Sequence, residues 1–367
     1  MPVVSLARCG DYDPVNVLGA VRRAIGLVGG IGHYVKPGMS VLLKPNLLSP
    51  RLPEEAVDTH PEVVRAVGLL VREAGGSVKI GDSPGGFGKN IQEVFERSGM
   101  KRVADEEGFE LVRFRTSRFI HGMPIAREVL DCDAMISIPK LKTHSITVLT
   151  GAVKNVYGTV TGLYKAECHS RAPREPDFAR IVARVYAIST PQLSVVDGIV
   201  GMEGDGPAAG EPRAMNAVIA GEDAVAIDAV IARMVGLAPC DVLTTKTAYE
   251  AGMGEADLSR IEIAGEPLDS FIAKGFKLPQ TTPLSTLPRA VVNGVASLIR
   301  FKPHIDGRAC NRCNLCRVTC PVNAIDIEDG FCEIDYARCV KCLCCHDVCP
   351  YRAITIKRNI LTKMVWG

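Results

Sequence analysis

Short apolar runs alternate with stretches of helical periodicity along the first 265 residues. Runs at 3–6, 41–43, 78–80, Ala134–Ile138, 193–196, 217–220 and 260–263 are brief and rich in Val, Ile, Leu and Ala, as expected of buried strands. Between them lie helical patterns. Asp13-Pro14 reads as an N-cap followed by proline at the first helical position, opening a helix to about residue 28. Residues 61–74 carry apolar side chains at Val63, Val64, Val67, Leu70 and Val71 and stop at Gly75-Gly76. Further helices are predicted at 90–97, 178–188 and 224–235. Strands that alternate with helices predict an α/β fold with a largely parallel sheet covered by helices on both faces.

The pattern then changes twice. Residues 266–303 hold Pro267, Pro279, Pro283, Pro288 and Pro303 and read as a connector packed along the first domain, with a short helix at 288–300. Residues 304–367 read as a small C-terminal α+β domain. The 367-residue chain is 47% hydrophobic and 23% charged, which suits folded domains. Its formal charge of +2 gives no reason to expect nucleic acid as a partner. No apolar core of a signal peptide follows Met1 to Gly10. The apolar stretch at 287–301 is interrupted by Arg289, Asn293 and Arg300 and falls short of the ~20 residues that span a bilayer, although it suits a peripheral amphipathic helix. The expectation is a cytoplasmic protein with no membrane span.

Cysteine usage sharpens this picture. Of 14 cysteines, eight fall in two compact runs. Cys9, Cys132, Cys168, Cys240, Cys332 and Cys344 lie outside them, a usage that suits a reducing compartment. The runs are Cys310-Asn-Arg-Cys313-Asn-Leu-Cys316-Arg-Val-Thr-Cys320-Pro321 and Cys339-Val-Lys-Cys342-Leu-Cys-Cys345-His-Asp-Val-Cys349-Pro350, each followed by an Ala-Ile-x-Ile strand. They repeat with an offset of 29 residues, Cys310 to Cys339. In C-x2-C-x2-C-x3-C-P, three thiolates on a tight loop wrap one cubane and the fourth faces the other. One 4Fe–4S cluster is therefore assigned to Cys310, Cys313, Cys316 and Cys349, and a second to Cys339, Cys342, Cys345 and Cys320. Structural zinc would more often show two separated C-x2-C pairs. Cys344 could substitute as a ligand, but its spacing reads better as an unligated thiol. The stretch resembles bacterial two-cluster ferredoxins. That resemblance implies a pseudo-twofold module of hairpins and helices and low-potential electron transfer. So small a module buries little core, and its clusters would also act as staples.

The α/β part carries polar residues just after its predicted strands: Lys44 and Asn46, Asp82 and Ser83, Lys140, Lys142 and His144, and Asp197. Ligands of open parallel sheets bind at the carboxyl ends of strands, so these residues are expected to converge. Lys154 and Asn155 follow in Thr150-Gly151-Ala-Val-Lys154-Asn155, then Lys165, Cys168 and His169. Lysines and histidines on flexible loops suit a carboxylate or phosphate, and a solvated basic loop is the plainer reading of any single one. Lys142, His144 and His169 are the candidates for proton transfer or charge neutralisation. Lys44, Asn46, Asp82, Ser83, Lys140, Lys154, Asn155 and Asp197 are the candidates for holding a ligand or organic cofactor. Asp197, Glu203 and Asp205 offer oxygen ligands in the glycine-dense stretch to Gly210, which reads better as a mobile loop than as a cation site. Residues 83–90 place glycines before a helix but match neither nucleotide-binding fingerprint.

Taken together, Lys44-Pro45-Asn46, Gly81-Asp82-Ser83, Pro139-Lys140-Leu141-Lys142-Thr143-His144, Gly151-Ala152-Val153-Lys154-Asn155, Val196-Asp197-Gly198, Gly206-Pro207 with Gly210, and Ala226-Ile227-Asp228-Ala229 resemble the family known as domain of unknown function 362 over residues 40–240. The resemblance implies an α/β iron–sulfur protein and supplies no reaction. Three functions are consistent with these readings. An oxidoreductase would pass electrons from the clusters to a small anionic substrate or organic cofactor. A carrier would use the α/β domain to dock a redox partner protein, with Arg312, Arg317, Lys341 and Arg352 suited to an acidic surface. A cofactor- or metal-handling module would use the clusters as sensors.

Overall fold

The computed structural model describes residues 1–84, 91–162, 164–172, 175–279, 301–328 and 331–358. The predicted helix at 288–300 and the glycines of 85–90 lie outside the described residues, as does the side chain of His169.

In chain order the strands are β1 (Val3–Arg8), β2 (Ser40–Pro45), β3 (Ser77–Asp82), β4 (Glu110–Arg113), β5 (Ser117–Ile120), β6 (Met123–Ala126), β7 (Ala134–Ile138), β8 (Lys140–His144), β9 (Val148–Thr150), β10 (Leu193–Glu203), β11 (Glu211–Gly221), β12 (Glu262–Gly265), β13 (Phe301–Ile305), β14 (Ile325–Glu328), β15 (Phe331–Ile334) and β16 (Ile354–Arg358). Among the described residues the main sheet has ten strands and runs β12-β1-β11-β10-β7-β2-β3-β4, with β8 joined to β10 and β9 joined to β8. The segment β10-β7-β2-β3-β4 is parallel throughout. Strand β11 is antiparallel to both β10 and β1.

Both faces are covered, and the alternation within β2 shows how. Leu42 packs with Met135, Val196 and Ile219 beneath the helices Glu175–Ile188 and Ala224–Met234. Val41 and Leu43 point the other way, joining Ile80, Ile136 and Val195 beneath Pro14–Gly26, Pro61–Glu73 and Met100–Glu107. A one-residue slip of β2 would exchange these sets, so its register is strongly specified. The Asp13 carboxylate accepts hydrogen bonds from Val15 N and Asn16 N, which caps the first helix.

The differences from the sequence reading concentrate where charge and glycine interrupt apolar runs. Strand β10 continues from Leu193 to Glu203, through the stretch expected to be a mobile loop. Its partner β11 begins at Glu211, so the glycines shape the connection of an antiparallel pair. A Cβ on Gly206 would overlap Thr143, and Ser145 N and Oγ both donate to Gly206 O, so the turn is pinned onto β8. Lys140–His144 is likewise a fully buried strand instead of a flexible loop.

Among the described residues the C-terminal region contains two antiparallel pairs, β13 with β16 and β14 with β15, and two short helices, Leu315–Thr319 and Cys344–Val348. The helices are offset by 29 residues, matching the cysteine repeat. Three pairs of left-handed residues recur at the same offset: Arg312 and Lys341, Asn314 and Leu343, Asn323 and Arg352.

Candidate functional site at the carboxyl end of the sheet

Parallel strands β2, β3 and β7 end side by side, and the chain leaving β2 ties their ends together. Lys44 Nζ lies 2.7 Å from Asp82 Oδ1, with both side chains buried. The other Asp82 oxygen accepts from Leu47 N at 2.8 Å. Lys44 Nζ also donates to Asn155 Oδ1 at 3.4 Å, and Asn46 Nδ2 to the same oxygen at 3.1 Å. Asn155 in turn donates to Ser137 Oγ and Lys44 O. Its helix, Ala152–Asn155, is positioned by buried Asp228, which accepts from Ala152 N at 2.6 Å and Val153 N at 3.2 Å. Gly151 and Gly158 permit this approach. A Cβ on Gly151 would overlap the Asp228 carboxylate, and one on Gly158 would overlap Asp82 Oδ1. These glycines explain two members of the motif Gly151-Ala152-Val153-Lys154-Asn155 and the run ending at Gly158.

Beyond this shell lies a second group of cations. Lys142 is buried and donates to Val57 O at 2.5 Å. Burial pushes its ammonium down to about 7, against the opposing pull of Asp58. Burial pushes the Asp58 carboxyl up to about 7. Asp58 Oδ1 accepts from Leu48 N at 2.6 Å, while buried Oδ2 has no hydrogen-bond partner among the described residues. An acid and a base that both titrate near neutrality are typical of sites that hold or move protons. The Lys154 ammonium makes no hydrogen bond or ion pair among the described residues, and burial brings it down to about 8. Lys165 donates to the carbonyls of Ser83 and Pro84 and is brought to about 8 chiefly by burial, with Lys44 and Lys154 also repelling it. Thus the Ser83 contact is through its backbone.

His144 borders the C-terminal region. Its Nδ1 accepts from Ile146 N at 3.1 Å and Thr147 N at 3.4 Å. In the neutral ring the proton therefore resides on Nε2, which faces Asp347 Oδ2 at 3.8 Å. Arg51 makes a second bridge, donating from Nη2 to Cys349 O at 2.8 Å and from Nη1 to Glu55 Oε1 at 2.6 Å.

The cysteines surround two cavities. Cys310, Cys313, Cys316 and Cys349 line one, together with Cys332. Cys320, Cys339, Cys342 and Cys345 line the other, together with Cys344. No three His, Cys, Asp or Glu side chains among the described residues converge as a single metal ion requires. A cubane spreads its four thiolates over four irons and asks for a lined cavity instead. The left-handed residues Arg312, Asn314, Lys341 and Leu343 sit within the cysteine loops. Such turns expose successive backbone N–H groups, an arrangement that suits anionic clusters. Each left-handed non-glycine costs on the order of 1–3 kcal/mol, and surrounding structure must hold it in place.

Not every predicted residue reaches this site in an available form. Lys140 and Asp197 form a closed network: Lys140 Nζ lies 2.8 Å from Asp197 Oδ2, and Tyr12 OH donates to Asp197 Oδ1 at 2.8 Å. Lys140 Nζ also donates to Tyr12 OH at 2.9 Å, and both charged side chains are fully buried. This pair braces β8 against β10 and leaves no open coordination position. Lys277 N donates to Glu203 Oε2, and no group of three acidic, histidine or cysteine side chains among the described residues is arranged to hold a cation. Asp58, Arg51 and Asp347 were missed. Asp58 and Arg51 lie in the segment after β2, and Asp347 lies among the cysteines, where no local pattern links either to the sheet.

The architecture defines a mostly parallel α/β protein with a buried lysine-rich site at its strand ends, joined to a small cysteine-rich region of strands and helices. The chain belongs to the family described as domain of unknown function DUF362, whose model matches residues 41–233. It is 34% identical over 284 residues to a thylakoid-associated protein of Synechocystis sp. (strain ATCC 27184 / PCC 6803 / Kazusa), covering 76% of this chain and 88% of that protein. A structure of the lactate racemase apoprotein from Thermoanaerobacterium thermosaccharolyticum superposes with a TM-score of 0.38 at 13% identity, over 60% of this chain and 54% of that one, too remote to bear on the reaction. No helix among the described residues is long and apolar enough to cross a membrane.

Proposed function

We propose that this chain is an iron–sulfur oxidoreductase in which two 4Fe–4S clusters deliver electrons to a small anionic ligand at the carboxyl end of the sheet. One cluster would be held by Cys310, Cys313, Cys316 and Cys349, and the other by Cys339, Cys342, Cys345 and Cys320. The grouping of these thiols around two cavities supports this reading, as does the repetition of left-handed residues in both cysteine loops. When bound, the clusters would supply one-electron chemistry. The remaining chemistry belongs to the chain. Lys142, Lys154 and Lys165 neutralise the ligand's charge, and the Asp58–Lys142 pair and His144 Nε2 hold protons beside it. The observation that carries the proposal is the contact of His144 with Asp347, which lies on the helix Cys344–Val348. It joins the strand that carries Lys142 to the helix that carries Cys344 and Cys345, two of the thiols around one cavity. A reducing compartment such as the cytoplasm suits the thiols, and the electron donor would be a redox partner protein.

The test uses anaerobically reconstituted, dithionite-reduced full-length protein, with sulfate and acetate as anionic probes. Either anion is expected to perturb the electron paramagnetic resonance spectrum of one cluster, and Lys142→Ala with Lys154→Ala to abolish the effect. Spectra that no anion changes, in a protein carrying both clusters, would remove the ligand site. A non-catalytic carrier then becomes the better reading. One observation favours that alternative: Cys313 is exposed, and exposed Arg308, Arg317 and Arg352 form no ion pair among the described residues, leaving a basic surface for an acidic partner.

A further inference from the structure

We infer that Arg51 is a positioning residue for the cluster closed by Cys349 and raises its reduction potential. The inference rests on the cluster reading above and concerns a residue outside the cysteine motif. Arg51 belongs to the segment that follows β2, yet its side chain, only 4% exposed, reaches the cysteine region. Nη2 donates to Cys349 O at 2.8 Å and Nη1 to Glu55 Oε1 at 2.6 Å, while buried Nε has no partner among the described residues. Cys349 is the thiol that leaves one cysteine loop to line the cavity of the other. Arg51 therefore grips the chain where the two cavities meet.

Two physical consequences follow. Its planar fork fixes the Cys349 carbonyl and the carboxylate together, a geometry that a lysine ammonium does not reproduce. Its charge also acts on the redox equilibrium. Reduction adds one negative charge to a cluster, and a buried cation attracts that charge more strongly than the same cation would in solvent. Glu55 opposes this field only in part, because its side chain is 27% exposed and partly screened by water. The same segment carries Asp58, whose carboxyl Arg51 also helps to keep ionised. Arg51 thus stands between the cysteine cavities and the Asp58–Lys142 pair.

Potentiometric titration monitored by electron paramagnetic resonance tests this on the reconstituted full chain. Arg51→Gln is expected to lower the potential of one cluster more than the other at unchanged iron content, and Arg51→Lys to restore part of the shift. Glu55→Gln, which removes the opposing charge without touching Cys349, is expected to shift the same potential upward. Both potentials unchanged in Arg51→Gln and Glu55→Gln would overturn the proposal. If Arg51→Gln loses iron, the sign of the Glu55→Gln shift decides: upward supports the role and no shift or a downward one refutes it. Wild-type protein that holds no iron or sulfide would refute the cluster reading itself, and this role with it.

Discussion

His144 faces Asp347 with 3.8 Å between Nε2 and Oδ2, joining the last residue of β8 to the helix Cys344–Val348. Two backbone N–H groups hold the other ring nitrogen as an acceptor, so the ring orientation is fixed independently of Asp347. His144→Phe keeps an aromatic ring, slightly larger, and removes the two hydrogen bonds at Nδ1 and the Asp347 contact at Nε2. It is expected to loosen that helix, measured as faster hydrogen exchange at amides 344–349 in the reconstituted protein. His144→Gln should change exchange there less. Unaltered exchange in the phenylalanine variant would show that the contact does not hold the helix.

Anion binding should depend on pH through Lys154 and Lys165, both brought to about 8. Sulfate, which stays fully ionised across this range, is the suitable probe. Its stabilisation of the fold is expected to be full below about pH 7 and to fade as pH rises through 8. Without anion the sign reverses. Between about 8 and the ordinary lysine value of ~10.4 the folded chain binds fewer protons than the unfolded one, so these two groups make stability rise with pH. Thermal unfolding with and without sulfate checks both slopes, and Lys154→Met should remove much of the sulfate effect.

Gly151→Ala should destabilise the fold by about 2–4 kcal/mol, because the added methyl displaces buried Asp228 from the two amides it caps. Gly19→Ala makes the contrast. That glycine lies inside the helix Pro14–Gly26 with open space around it, and alanine there should stabilise by about 0.5–1 kcal/mol. Anaerobic urea unfolding measures both. Equal effects would mean that the Asp228 cap is unimportant.

Cys316 and Cys332 line the same cavity but only Cys316 belongs to the repeat. Cys316→Ser is expected to cost about four irons per chain, and Cys332→Ser to leave iron content unchanged. Equal losses from both variants would make Cys332 a ligand.

Much of this architecture is legible in the chain itself. The runs at 41–43 and Ala134–Ile138 mark strands because they are short, uncharged and rich in aliphatic and β-branched residues, and Val78-Lys79-Ile80 does so through two β-branched residues flanking one lysine. Strand β8 was hidden because Lys140, Lys142 and His144 look like a solvated loop until their buried partners are known. Those partners, Asp197, Val57 O and Asp347, are distant in sequence, so no window contains them. The convergence of Lys44, Asn46, Asp82 and Lys142 follows from their positions at or just beyond parallel strands, whereas Asn155 is brought in by the helix Ala152–Asn155. Which lysines are locked in pairs and which stay available does not. Lys140 and Lys142 stand two residues apart on one strand, yet one is closed off by Asp197 and Tyr12 while the other meets only a carbonyl and a distant acid.

The most direct test of the account is a count of iron and acid-labile sulfide on anaerobically reconstituted protein, with electron paramagnetic resonance of its reduced form. Two cubanes predict about eight irons and about eight sulfides per chain, with spectra of two magnetically interacting clusters. One or two zinc ions per chain, with no sulfide and no such spectrum, would contradict it.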